Sequence, residues 1–134
     1  MARLILAEAQ SVTTAGLDGD AIASGASGSQ VGGAPQLAKG VIYINITKTA
    51  GGAINPATET LKVMCKPPGS STWCDVYQSH EDTDPVNFFA GASGASEMNR
   101  AFPITVFGAM KVVIDGDGSD DTYTIDEDIV IETF

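Results

Sequence analysis

The chain has little of what most catalytic and metal sites require. It contains one histidine, His80, and two cysteines, Cys65 and Cys74. A structural zinc site needs four ligands of these kinds, and a histidine-activated nucleophile needs a partner that no spacing around His80 supplies. We interpret His80, which precedes two acidic residues, as an exposed loop residue. The sequence predicts no enzyme activity and no cofactor.

Basic residues and long apolar runs are also scarce. Seven Lys and Arg stand against 17 Asp and Glu, which gives a net charge of −10. This charge repels phosphate, so we expect no nucleic-acid partner and no binding to anionic membranes. The run Leu4–Ala7 is interrupted by Glu8, and no stretch approaches the roughly 18 apolar residues of a membrane helix. We therefore expect no secretory signal and folding in a cytosol.

The sequence does contain many short segments with β-forming residues. The segments that we predict to be strands are 4–14, 41–47, 61–66, 73–78, 102–107, 109–114, 122–125 and 129–133. The segment 41–47 has the longest apolar run, so we expect a central strand that is buried on both faces. For residues 96–101 the sequence allows either a loop or a short helix. About seven to nine short strands predict an all-β fold, an antiparallel β-sandwich or jelly roll in one domain over residues 1–134.

Glycine, serine and alanine are concentrated in long connections. The segment 21–40 is the longest, and a structureless connection of this length is unusual in a compact domain unless it has a function. We expect residues 1–10 and 21–40 to be extended arms.

The two cysteines flank a predicted turn over residues 67–72. In that hairpin Cys65 lies opposite Cys74, and directly opposed residues have Cα atoms about 4.5–5.5 Å apart, which a disulfide can bridge. A cytosolic origin favours thiols. Both states stay open from the sequence.

An acidic turn follows the predicted strand 109–114. Its residues Asp115, Asp117, Ser119 and Asp121 have the alternation of a calcium loop. The sixth position is not glycine, the twelfth is Asp126 instead of glutamate, and strands instead of helices flank the turn. We interpret it as a solvated hairpin turn, with weak calcium binding by these four residues as the alternative.

The aromatic residues occur at strand-like spacings. Such residues more often form a core or a subunit interface than a sugar-binding face, although the sequence allows both. The residues concerned are Trp73, Tyr77, Phe88, Phe89, Phe102 and Phe107.

Three segments resemble small virion proteins of tailed bacteriophages. They are the opening strand that ends in Gln10-Ser-Val-Thr-Thr-Ala-Gly16, the hairpin over residues 61–76 with its Gly-Ser-Ser-Thr-Trp73 turn, and the C-terminal pair Met110–Ile114 and Tyr123–Ile125. Proteins of this kind are β-sandwich or jelly-roll capsid decoration and cement subunits, often trimers.

The resemblance implies a non-enzymatic virion structural protein made in the host cytoplasm. It would act as a homotrimer that bridges capsomers, with the major capsid protein or another virion protein as partner. Arms that order on a neighbour must bury apolar groups there. The interface candidates are Leu4, Ile5, Ile22, Val31, Leu37, Phe88 and Phe89. The alternative is a carbohydrate- or calcium-binding sandwich module of a phage neck, tail or adhesion apparatus.

Overall fold

The computed structural model describes residues 3–13, 38–66, 69–77, 86–106, 109–116 and 121–133. Every regular element in these ranges is a β-strand, and every pairing between them is antiparallel. The strands are β1 Arg3–Ala7, β2 Gln10–Thr13, β3 Ala38–Ala50, β4 Thr60–Lys66, β5 Cys74–Asp75, β6 Glu97–Val106, β7 Ala109–Asp115, β8 Thr122–Ile125 and β9 Ile129–Thr133. The predicted all-β fold is confirmed. Within the described ranges there is no helix of the length and apolarity that spanning a membrane demands.

The long strand β3 is the centre of the larger sheet. It pairs with β6 on one side, while β9 and β8 lie end to end along its other side. β1 and β2 continue the sheet outward in the same manner, since β1 pairs with β9 and β2 with β8. The gap between β1 and β2 lies beside the gap between β9 and β8, and there the Ala9 N–H donates to Asp128 Oδ1 at 2.9 Å. The sheet is therefore four strands wide, with β9 and β8 sharing one row and β1 and β2 sharing another.

The smaller sheet has the order β5-β4-β7 and covers one face of the larger one. Buried residues of both sheets form a single core, which includes Leu6, Ile42, Ile44, Ile46, Leu61, Val63, Phe89, Met110, Val112, Tyr123, Ile125 and Ile131. β1 lies beside β7, so the sandwich is closed on that side. The other edges, β6 and β5, lie on the opposite side.

Strand β3 differs from its predicted burial. Ile42, Ile44 and Ile46 are fully buried, but Tyr43 between them is 38% exposed. The prediction that this strand is buried on both faces is wrong, because the smaller sheet covers only one face. Its central position in the sheet is confirmed.

Several boundaries also differ from the sequence-based predictions, and β3 spans Ala38–Ala50 instead of 41–47. The suggested helix over 96–101 is wrong, because β6 begins at Glu97 and pairs with β3 from Thr47↔Glu97 onward. The single strand predicted over 4–14 is two strands separated by Glu8 and Ala9. The return strand of the cysteine hairpin is only the two residues of β5.

Candidate functional site

Four polar side chains meet in the interior at one end of the sandwich. Lys48 lies near the end of β3, and Glu59 immediately precedes β4. Asp121 immediately precedes β8, in which Tyr123 is the second residue. Their exposed fractions are 5%, 0%, 2% and 0%. Lys48 points inward because alternate residues of a strand share a face, and it follows Ile46 on the buried one. We call these residues the lysine–carboxylate cluster.

Lys48 is the hub of this cluster. Its Nζ lies 2.8 Å from Glu59 Oε1 and 3.2 Å from Asp121 Oδ1. It also donates to the backbone carbonyl of Ala53 at 3.3 Å. An ammonium group has three N–H donors, so these contacts satisfy its hydrogen-bonding capacity without water.

Glu59 is held at both carboxylate oxygens. The hydroxyl of Tyr123 donates to Oε1, in a short hydrogen bond, and the backbone N–H of Asn55 donates to Oε2 at 2.7 Å. Phe89 stacks on the Tyr123 ring with centroids 5.6 Å apart. The carboxylate therefore sits between a polar turn and an aromatic wall, which excludes solvent from it.

Asn87 fixes the turn that carries Glu59. Its Oδ1 accepts the backbone N–H groups of Leu61 and Phe89, each at 3.0 Å. Its Nδ2 donates to the carbonyls of Pro56 at 3.3 Å and Glu59 at 2.9 Å. One side chain thus ties residues 56–61 to the turn at 88–91 and sets the entry of β4 into the core.

The charges of the cluster do not balance when all its groups are ionised. One ammonium then faces two carboxylates in an interior where ionised groups are costly. Burial lowers the pKa of Lys48, but hydrogen bonds and charge attraction from Glu59 and Asp121 outweigh it, so the pKa of Lys48 is raised above 10.5. Lys48 therefore rests as the ammonium form.

A groove of about 530 Å³ lies on the other side of the molecule, between the β6 edge and the end of β5. Its walls are mostly aliphatic, and Tyr77 at its rim is 43% exposed. The lining residues are Lys39, Gly40, Val41, Val63, Val76, Tyr77, Val86, Phe88, Pro103, Ile104 and Thr105. The groove can hold apolar groups but presents few polar ones.

The calcium candidates do not converge in the described residues. Asp115 ends β7 and is half-buried, whereas Asp121 faces Lys48 in the cluster. Asp117 and Ser119 lie outside the described residues. In the ranges that the structure covers, no group of three or more His, Cys, Asp or Glu residues has the geometry of a metal site.

The interface candidates have mixed placements. Phe88 and Phe89 are 4% and 0% exposed and belong to the core, and Phe88 also lines the groove. Ile5 is half-buried on β1. The side chain of Leu4, and Ile22, Val31 and Leu37 altogether, lie outside the described residues, as does His80.

The cysteine hairpin has the predicted register, with Cys65 opposite Cys74. Both cysteines are free; Cys65 is buried and Cys74 is exposed. Burial, and secondarily the neighbouring Cys74, raise the pKa of the Cys65 thiol. Trp73 beside them lies under two cations, Lys66 at 4.9 Å and Lys111 at 4.6 Å from its ring centroid.

Sequence reasoning missed the lysine–carboxylate cluster. One signal was present, because Lys48 continues the alternate positions of Ile42, Ile44 and Ile46. Its partners Glu59 and Asp121 precede strands by one residue and carry no such signal.

No protein-family model, curated protein or solved structure matches this chain. Function is therefore inferred from the residues themselves.

Proposed function

We propose that this chain is a non-enzymatic structural subunit of a tailed-phage virion, a capsid decoration or cement protein that acts as a homotrimer and bridges capsomers. The observation that carries the proposal is the separation of polar and apolar features. The ionisable cluster is sealed inside the sandwich, and the groove open to solvent is apolar.

The lysine–carboxylate cluster supports a scaffold role. A catalytic acid or base must reach the proton that it transfers on a substrate. Glu59 and Asp121 are buried to at least 98%, and the hydrogen bonds around them come from the chain itself. Such a cluster joins β3, β4 and β8 instead of opening onto a substrate.

The groove supports binding to another protein. Apolar grooves on a soluble subunit mark interaction sites, and an aromatic residue at the rim is a common anchor. The proposed occupant is an apolar arm of a neighbouring subunit, and from the sequence Ile22, Val31 and Leu37 are the side chains of this chain that suit it. The net charge of −10 keeps the free subunit soluble and favours basic partner surfaces.

The assignment to a virion rests on the resemblance of the hairpin and the C-terminal strands to small phage proteins. In that setting the subunit is made in the host cytoplasm and binds the major capsid protein or another virion protein. Its stiffness comes from the two packed sheets, and its attachment comes from several identical contacts around a trimer, which add avidity.

The test is co-sedimentation of the purified protein with capsids of the encoding phage that lack it, after light scattering has given its native mass. We expect a trimer that saturates the capsid. Tyr77→Ala at the groove rim should weaken capsid binding at least tenfold, whereas Tyr43→Ala, on a similarly exposed tyrosine outside the groove, should bind as the wild type. A monomer that stays in the supernatant would overturn the proposal.

A second candidate is a carbohydrate-binding module of a phage neck, tail or adhesion apparatus. The exposed ring of Tyr77 beside the groove favours it, because sugars stack on aromatic faces. A glycan array distinguishes the two roles. The carbohydrate-binding role predicts binding to a glycan that Tyr77→Ala removes, whereas the cement role predicts no such binding.

A further inference from the structure

We propose that Lys48 and Asp121 react with each other to form an intramolecular amide bond, with Glu59 as the group that transfers the protons. The bond would join the end of β3 to the start of β8 covalently. The inference concerns a modification site within the fold and holds whether or not the virion proposal is correct.

The first support is distance. Lys48 Nζ lies 3.2 Å from Asp121 Oδ1, so the carboxyl carbon is within reach of the amine after a small side-chain adjustment. Groups held about 3–3.5 Å apart react much faster than the same groups in a bimolecular reaction, because their approach and orientation are already fixed. Lys48 and Asp121 are placed by neighbouring paired strands, since Lys48 lies opposite Tyr123 in the β3–β8 ladder.

The second support is the dry surroundings. The side chains of Lys48, Glu59 and Asp121 are 1%, 0% and 3% exposed. Condensation of an amine with a carboxylic acid releases water, and a site without bulk water favours the amide.

The third support is the number of carboxyls. With one ammonium and two carboxylates the cluster has a net negative charge, and uptake of one proton makes it neutral. Transfer of a second proton from Lys48 to Glu59, 2.8 Å away, then gives a free amine that faces a carboxylic acid. These are the forms that the reaction requires.

The reaction balances within the cluster. The Lys48 amine attacks the Asp121 carboxyl carbon, and a C–N bond forms. Glu59 accepts a proton from the nitrogen and delivers one to the departing hydroxyl, whose C–O bond breaks. The products are one secondary amide, one water molecule and an unchanged Glu59 carboxylic acid.

The hydrogen bonds of Glu59 decide which carboxyl is consumed. Amide formation removes one carboxyl oxygen, and both Glu59 oxygens already accept hydrogen bonds from groups fixed by the fold, Tyr123 and Asn55. A reaction at Glu59 would leave one of these donors unpaired inside the core. These bonds of Glu59 favour Asp121 as the acyl partner, with Glu59 as the proton carrier.

The chain contains an internal control. Lys62 Nζ and Asp75 Oδ1 are 2.9 Å apart, closer than the proposed pair, but their side chains are 22% and 32% exposed. Among the described residues that pair has no second carboxylate bonded to its lysine. If proximity were sufficient for the reaction, both pairs would be cross-linked. If the reaction requires a buried site with three ionisable groups, only Lys48 and Asp121 would be cross-linked.

The experiment is intact mass spectrometry of the folded, then denatured, protein, followed by tryptic mapping. We expect a mass lower than that of the sequence by one water molecule. Trypsin should fail to cut after Lys48 and should release a branched peptide that joins residues 40–62 to 112–134. Cleavage after Lys62 should be normal. The peptide map also excludes a succinimide at an Asp-Gly sequence, which loses water without joining two peptides.

Two variants test the roles. Lys48→Arg keeps the charge but removes the amine, and Glu59→Gln keeps the shape but removes the proton carrier; both should retain the full mass. Because either variant could fold poorly, the wild-type mass is the primary result. A folded wild-type protein of full mass after prolonged incubation would overturn the proposal. A dehydrated peptide 40–62 without 112–134 would overturn the choice of Asp121, and a cross-linked Glu59→Gln would overturn the role of Glu59.

Discussion

Replacement of Lys48 by methionine tests how the buried cluster stabilises the fold. Methionine keeps a similar length and packing but removes the cation. Glu59 and Asp121 then remain inside the core without the ammonium that lies 2.8 and 3.2 Å from them. We expect this variant to be the most destabilised single substitution of a charged residue among those that the structure describes.

The expected cost follows from the burial of all three groups. Removal of one partner from a buried ion pair costs about 3–5 kcal/mol, because the remaining charge stays buried. Domains of this size have about 5–15 kcal/mol of stability in total. With a urea dependence of about 2 kcal/mol per molar, the unfolding midpoint should fall by about 2 M. In a wild type that carries the proposed amide bond, Lys48 and Asp121 are no longer ions, and loop closure contributes about 4 kcal/mol in place of their ion pair.

The pH dependence separates these two contributions. The ion-pair contribution follows the titration of Lys48, whereas the loop-closure contribution does not titrate. As an ammonium, Lys48 has a raised pKa and stabilises the fold below about pH 10. This stabilisation is lost as the pH rises through the pKa of Lys48 in the folded state, which lies above 10.5.

Urea unfolding at pH 4, 6, 8 and 10.5, followed by circular dichroism, measures all of this. Lys62→Met is the matched control, because its half-exposed pair with Asp75 should contribute less than about 1 kcal/mol. The reasoning is refuted if Lys48→Met unfolds within about 0.5 M urea of the wild type at pH 8.

Three further predictions concern the surroundings of the cluster and the hairpin. Tyr123→Phe removes a hydroxyl donor to a buried carboxylate and should cost about 1–3 kcal/mol in thermal unfolding; an unchanged melting temperature would contradict the hydrogen bond. Gly51→Ala should destabilise more than Gly52→Ala, since both have positive φ, +97° and +90°, but only the first would drive a Cβ into the buried aspartate. Native-state alkylation near pH 8 should label Cys74 and spare Cys65, whose burial raises its pKa; equal labelling would contradict the register and burial of the hairpin.

Local alternation predicted most of the strands. The segments 122–125 and 129–133 are strands at the predicted bounds, and the facing of Cys65 and Cys74 followed from the turn length. The sequence did not predict the start of β6, because Glu97 and the residues after it have weak β-propensity and owe their strand to pairing with distant Thr47. Nor could the sequence show that one face of β3 is exposed to solvent, since this depends on which face the smaller sheet covers.

The cluster was harder to predict than the strands. Lys48 alone is marked by its position in an alternating apolar run, and a single lysine in such a place more often points to solvent. Glu59 and Asp121 each lie one residue before a strand, outside any alternating run. Only the packing of the two sheets brings these three side chains together, so their chemistry belongs to the tertiary structure and not to any motif.

The position of the proposed amide bond gives it a mechanical consequence. The loop that it closes, residues 49–120, contains the whole smaller sheet, β4, β5 and β7, together with β6. Force applied between residues 3 and 133 would pass through the cross-link and bypass that loop. In single-molecule pulling, unfolding of the wild type would therefore increase the contour length by about 250 Å less than unfolding of Lys48→Arg. The cross-link would therefore keep the smaller sheet folded even when β8 and β9 separate from β3.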